Sequence, residues 1–202
     1  MSDFDPWNPK PEISFHAMHD RYSKTLNNQC VYISGQMTSG LRQALAKKWA
    51  KKEPAFLSSN RMRLNVDELR FVRDTIQLAF PDDRIFAPCE LDEDFPGLPA
   101  VGWGQDEFNT FWKQFIRKHV KRVVFTPGWQ YSRGGAWEGY IATLQQLPRL
   151  EFDNPGTNMD DSTFKRRIED AITTLKGLGD RTDIHEGILK ALNDQPPLKV
   201  AA

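Results

Sequence analysis

The residues that could do chemistry gather in one stretch, Val123-Val124-Phe125-Thr126-Pro127-Gly128-Trp129-Gln130-Tyr131-Ser132-Arg133-Gly134-Gly135-Ala136-Trp137-Glu138. A β-branched run ends in Pro-Gly, a Ser/Arg/Gly/Gly turn follows, and residues 137–146 then carry a helical pattern. Glu138 falls in the expected first turn of that helix, where free N–H groups and the positive end of the helix dipole favour anions. A ligand phosphate and an ionised glutamate would share one small site, which points to chemistry on a phosphorylated ligand. A second segment, Tyr32-Ile33-Ser34-Gly35-Gln36-Met37-Thr38-Ser39-Gly40, offers a strand end followed by small and hydroxyl residues that permit close backbone approach to a ligand. It has neither the Lys-Ser/Thr ending of a phosphate loop nor a complete Gly-x-Gly-x-x-Gly, which disfavours nucleoside triphosphate hydrolysis and dinucleotide binding.

Positioning these segments requires a scaffold, and the pattern supplies one. Short apolar strands are expected at 30–34, 84–91, 122–126 and 150–152. Between them come helical patterns at 41–52, 66–80 and 106–119, the second with Asn65 as cap and Pro81 beyond its end. The third carries Phe108, Phe111, Trp112 and Phe115 on one face. Strands alternating with amphipathic helices imply parallel βαβ units and a three-layer α/β sandwich. In such sheets ligands bind at the carboxyl ends of the strands, so the loops at 34–40 and 127–135 are expected to face one crevice. Residues 1–28 read as an irregular arm ordered by packing Trp7 and Phe15 on the body, 29–150 as the core with a basic insertion at 41–64, and 151–202 as a helical extension. That extension, with helices at 164–178 and 184–192, either covers the sheet or forms an oligomer contact.

The 202 residues carry 27 basic and 27 acidic side chains, a net charge of zero, so overall charge gives no reason for attraction to nucleic acid or a membrane. Apolar runs fall far short of a membrane span and the polar amino terminus has no signal-peptide pattern, so a soluble cytoplasmic protein with no membrane partner is expected. Cys30 and Cys89 are expected as buried, reduced core thiols. The four histidines are scattered without metal-ligand spacing, no metal or cofactor is expected, and no Gly-x-Ser-x-Gly element marks a hydrolase triad. Arg42, Lys47, Lys48, Lys51, Lys52, Arg61 and Arg63 make residues 41–63 locally basic, either as a solvated helix face or as a track for a phosphate backbone. Trp129 and Trp137 either stack a base or pack on the sheet, Trp129 in the turn being the better ligand candidate, and Met37 either lines a base pocket or is buried.

Taken together, Tyr-Ile-Ser-Gly-x-Met-Thr and the later Pro-Gly-Trp and Ser-Arg-Gly-x-x-x-Glu resemble the nucleoside 2-deoxyribosyltransferase-like superfamily. The likeness is closest to its small phage and bacterial members and the 2-deoxynucleoside 5-monophosphate N-glycosidases, and it spans residues 30–146. It implies a flavodoxin/Rossmann-like fold, a homodimer or higher oligomer, no metal, a nucleoside monophosphate substrate and cleavage of its base–sugar bond. The matching glutamate is the nucleophile on the anomeric carbon, here Glu138. The tyrosine that orients it matches Tyr32, and the phosphate-holding serine and glycine match Ser132 and Gly134. Arg133 lies between them, while Ser34, Gly35, Gln36 and Met37 form the rest of the cradle. The chemistry fits, because a carboxylate can stabilise or capture an oxocarbenium-like centre before water or a second base completes turnover. Where the family carries its leaving-base acids this chain has Lys113 and Lys121. Asp106 on the same helix is the candidate general acid, with Asp92 and Asp94 as alternatives. Two other readings stay open: a binding module for nucleotide or nucleic acid that has lost turnover, and a lysine-decarboxylase-like nucleotide phosphoribohydrolase, recognised by Pro-Gly and Gly-Gly-x-x-Glu.

Overall fold

A computed structural model describes residues 20, 22–24, 26, 29–36, 40–49, 55–94 and 105–194. Five strands, β1 (Cys30–Ser34), β2 (Arg84–Phe86), β3 (Val120–Phe125), β4 (Arg149–Glu151) and β5 (Asn154–Asn158), form one sheet in the order β2-β1-β3-β4-β5. The first four are parallel, and β5 returns antiparallel to β4. Helices α1 (Leu41–Trp49) and α2 (Ala55–Ala79) connect β1 to β2, and α3 (Cys89–Asp94) and α4 (Gln105–His119) connect β2 to β3. A single 3-10 turn (Trp129–Tyr131) and α5 (Arg133–Leu144) lead to β4, and α6 (Asp161–Leu178) and α7 (Asp183–Asp194) follow β5. The chain is therefore α/β, a three-layer flavodoxin-like sandwich.

The layers follow from the two-residue period of the strands, which sends alternate side chains to opposite faces. Val31, Ile33, Ile85, Val124 and Leu150 pack beneath α2 through Leu69, Val72 and Ile76. Tyr32, Phe86, Val123 and Phe125 face the other way, against Phe111 and Phe115 of α4, Ala136 and Ile141 of α5, and Phe164 and Ile168 of α6. Strand order reverses direction between β1 and β3, so the helical connections that follow those two strands pass to opposite faces, the position at which open α/β sheets bind ligands.

Several elements differ from the sequence expectation for identifiable reasons. The strand expected over 84–91 stops at Phe86, because Pro88 has no N–H for a ladder and instead starts α3, whose Glu90 accepts a hydrogen bond from the Ala87 N–H at 2.9 Å. Cys89 is thus helical rather than in a strand; both cysteines are buried free thiols, and burial pushes that of Cys30 up to about 12. Asn65 caps nothing. It lies inside α2, which begins at Ala55 directly after Pro54, and its Oδ1 accepts from Arg42 at 2.8 Å. The described cations of the basic stretch are tied to the chain itself: Arg42 pairs with Glu68, Lys47 with Asp180, Arg63 with Asp67, and Lys48 donates to the Gly177 carbonyl.

The C-terminal helices cover the sheet. Asp160 caps α6 by accepting from the Thr163 N–H, and Gly179 ends it at φ 73°, a left-handed geometry that favours glycine. Phe164 of α6 lies against Gly139 of α5, where a Cβ would stand 2.5 Å from its ring. The extension also grips the loop after β3: Tyr131 donates to Asp170 at 2.9 Å, and the buried His185 donates through Nε2 to the Gln130 carbonyl at 2.9 Å. The arm residues Trp7 and Phe15 lie outside the described residues; Tyr22 and Leu26 are buried in the core.

Candidate active site

The site is built where β1 and α5 face each other. Tyr32 and Ser34, two residues apart, must project from the same face of β1. That face looks toward α5, and both side chains end on one carboxyl group. Tyr32 Oη donates to Glu138 Oε1 at 2.9 Å, and Ser34 Oγ donates to Oε2 at 2.7 Å. Tyr32 and Ser34 are fully buried and Glu138 is 6% exposed. The Tyr32 ring is held by Phe86, Trp112 and Phe115, with centroids 5.6–6.3 Å away, so its hydroxyl has little freedom to swing.

Glu138 does not occupy the first helical turn. Helix α5 starts at Arg133, four residues before the expected position, with Ser132 as N-cap accepting from the Gly135 N–H. The two glycines read from sequence as turn residues lie inside the helix. A Cβ on Gly135 would come within 2.6 Å of the Trp129 carbonyl oxygen, so glycine lets the helix begin tight against the 3-10 turn. Glu138 therefore sits in the second turn, away from the free N–H groups, and burial rather than the dipole governs its ionisation. Desolvation pushes its pKa up to about 7, with the hydrogen bonds from Ser34 and Tyr32 pulling the other way. Burial, with the neighbouring carboxylate, holds the Tyr32 phenol well above its ordinary range, so it stays a donor.

The two loops converge. Thr126 N–H donates to the Ser34 carbonyl at 2.8 Å, and Gln36 Nε2 donates to the Gly128 carbonyl at 3.0 Å. A Cβ on Gly35 would stand 2.3 Å from Thr126 Oγ1, so only glycine allows β1 to leave the sheet this close to the end of β3. Gln36 Oε1 is buried without a hydrogen-bond partner among the described residues. At the start of α5, Ser132 is buried, while a Cβ at Gly134 would meet nothing nearer than Ser132 Oγ at 3.8 Å, which leaves that first turn open to a ligand. By helix geometry the Arg133 and Gly134 N–H groups have no intrahelical acceptor.

Other candidates fall elsewhere. Trp129 is 1% exposed, stacked on Phe164 with centroids 5.4 Å apart and 4.3 Å from Phe125; it is a core residue and offers no face to a base. Of the two roles open to it in the sequence, stacking a base or packing on the sheet, the structure gives it the second, with Phe164 of α6 over its ring. Met37 lies outside the described residues, as do the side chains of Asp92, Asp94 and Asp106. Lys113 is exposed on α4, and Lys121 pairs with Asp83 at the amino end of β3, across the sheet from Glu138. Sequence reasoning placed Ser34 in a ligand cradle and missed its bond to the carboxylate, although its two-residue spacing from Tyr32 was a readable signal. Among the described residues no group of three or more His, Cys, Asp or Glu gathers that could hold a metal ion, and no helix is long and apolar enough to cross a membrane.

Comparison of the chain with family models, with curated proteins and with solved structures finds no match.

Proposed function

We propose that this protein is an N-glycosidase or deoxyribosyltransferase that cleaves the base–sugar bond of a (deoxy)nucleoside 5-monophosphate, with Glu138 as nucleophile. The observation that carries the reading is the buried Glu138 carboxyl, with each oxygen held by a hydroxyl from β1 at the point where strand order reverses. Two hydroxyl donors fix the carboxylate plane, and among the described residues no cation pairs with it. That suits attack on a centre gaining positive charge. In the proposed reaction one Glu138 oxygen bonds to the anomeric carbon as the carbon–nitrogen bond breaks and its electron pair leaves with the base. A general acid protonates the base. Water or a second base then attacks the same carbon and releases the carboxylate, giving hydrolysis or transfer. Tyr32 and Ser34 hold the nucleophile, and Ser132 with the open first turn at Gly134 receives the phosphate.

Incubating the protein with ribo- and deoxyribonucleoside monophosphates and following free base by chromatography tests this. Release by the wild type that is lost in Glu138→Ala supports the reading; a panel with no release sinks it. Lys113 in solvent and Lys121 paired at the far end of the sheet favour a second reading, a nucleotide-binding module without turnover. Tight nucleotide binding with no base released would establish that one.

A further inference from the structure

Among the described residues five large apolar side chains are exposed, and the three most exposed, Leu64, Phe71 and Leu78 at 58%, 64% and 84%, all stand on α2. Seven residues make nearly two helical turns, so the three form one line along the helix. That line lies apart from the core, because α2 packs on the sheet through Leu69, Val72 and Ile76. Phe152, half-buried just after β4, meets Phe71 edge-on with centroids 6.3 Å apart and widens the apolar strip toward the sheet margin. Isolated exposed apolar residues are ordinary on a monomer, whereas a continuous strip bordered by charge marks a contact surface. We propose that a second copy of the chain docks on this strip, its α2 running antiparallel to the first across a twofold axis near residue 68.

The charges beside the strip specify a second copy as the occupant. Arg63, Asp67, Arg70 and Asp74 follow one another along a single flank of it, alternating in sign, and all four side chains are at least 44% accessible. Read from its other end, this order of signs is its own complement. A twofold axis between antiparallel helices keeps the same flank of both copies side by side. Arg63 then meets Asp74 of the second copy, and Asp67 meets Arg70 of the second copy. Both pairs are centred between residues 68 and 69. Setting Leu64 against Phe71 of the second copy centres the apolar strip between residues 67 and 68, about 1.5 Å of helix rise away, so one axis serves both kinds of contact.

The ties these charges make within their own helix do not oppose the exchange. Arg63 and Arg70 reach Asp67 only at 3.8 and 3.6 Å, long for ion pairs, while Asp74 meets Arg73 at 2.9 Å on the surface. Glu68, which the axis brings beside its own copy on the other flank, is already answered by Arg42 at 2.6 Å. An oligomer is implied by the resemblance; the surface, the antiparallel arrangement and the register come from this helix alone.

Sedimentation velocity of the full chain over a concentration series tests the surface, with far-ultraviolet circular dichroism to show that each variant keeps its helices. The wild type is expected to dimerise, and Phe71→Glu to weaken the dimer by about a hundredfold or more, since a symmetric contact carries the substitution twice. Leu144→Glu, on α5 across the sheet and 40% exposed, makes a comparable change elsewhere and is expected to leave the dimer alone. Arg70→Asp and Asp67→Arg should each weaken it by about tenfold or more, because like charges then oppose one another across the axis. An equimolar mixture of these two variants should recover wild-type affinity, as two acidic side chains of one then face two basic ones of the other. A wild type that stays monomeric at every concentration overturns the proposal. So does a Phe71→Glu dimer as tight as the wild type, equal weakening by Leu144→Glu, or a mixture no tighter than its components. None of these outcomes involves Glu138, so they stand or fall separately from base release.

Discussion

Replacing Glu138 by glutamine is expected to abolish base release and, at the same time, to stabilise the protein at alkaline pH. The carboxyl is raised from 4.5 to about 7 by burial, and an unfolded chain would release its proton near the lower value. Between those two pH values the native state binds more protons than the unfolded state, so stability falls as pH rises through the window and levels off above it. The gap of between two and three pH units corresponds to a loss of about 3 kcal/mol of native stability, small at pH 4.5 and nearly complete by pH 8. Glutamine is neutral throughout and nearly the same size. Its carbonyl accepts from Tyr32, while Ser34, whose hydroxyl can turn, accepts from its amide. Urea unfolding of both proteins at pH 5 and pH 8 isolates the effect, since all other titrations cancel in the difference. Glu138→Gln should match the wild type within about 1 kcal/mol at pH 5 and exceed it by about 1–3 kcal/mol at pH 8. A difference that does not change between the two pH values would mean the carboxyl carries no desolvation penalty, and the account of its environment would fail.

Two further outcomes follow from the same geometry. Tyr32→Phe removes a buried hydrogen bond to the ionised carboxylate, worth about 1.5–3 kcal/mol. The acid limb of the pH–rate profile should therefore move alkaline by about one to two pH units with a lower plateau, and an unmoved limb would contradict the assigned donor. Gly139→Ala drives a methyl group to 2.5 Å from the buried Phe164 ring, which is clamped by Trp129 and cannot rotate away. It should cost about 1–3 kcal/mol in thermal or urea unfolding, and a neutral result would show that α5 and α6 separate more easily than their packing implies.

The fold class was legible because the helices over 105–119 and 161–178 are periodic over enough residues for their buried faces to stand out, and because β1 is a short apolar run buried on both faces. What was hidden depended on partners distant in sequence. Asn154-Pro155-Gly156 reads as a turn, and only pairing with β4 makes β5 of it. Gly134 and Gly135 read as loop, and only the approach of the Trp129 carbonyl makes them helical. Asn65 has the right chemistry for a cap, but a helix that continues through it leaves no free N–H to receive its side chain. In the site, the proximity of Tyr32 to Glu138 came with the resemblance. The raised carboxyl pKa was not legible, because a one-turn shift in a helix start exchanges a dipole-favoured position for a desolvated one. Trp129 is core rather than ligand contact for a related reason: the ring that covers it, Phe164 of α6, lies 35 residues further on.

The antiparallel return of β5 also bears on how two copies of this molecule can meet. All five of its residues are exposed, and Pro155 has no N–H to present to an incoming strand. A ribbon of this composition shields its margin of the sheet from growth by strand addition, and β2 on the opposite margin is only three residues long. Self-association, if this protein assembles, is thereby steered to its helical faces, where the exposed Leu64, Phe71 and Leu78 recur every seventh residue along α2.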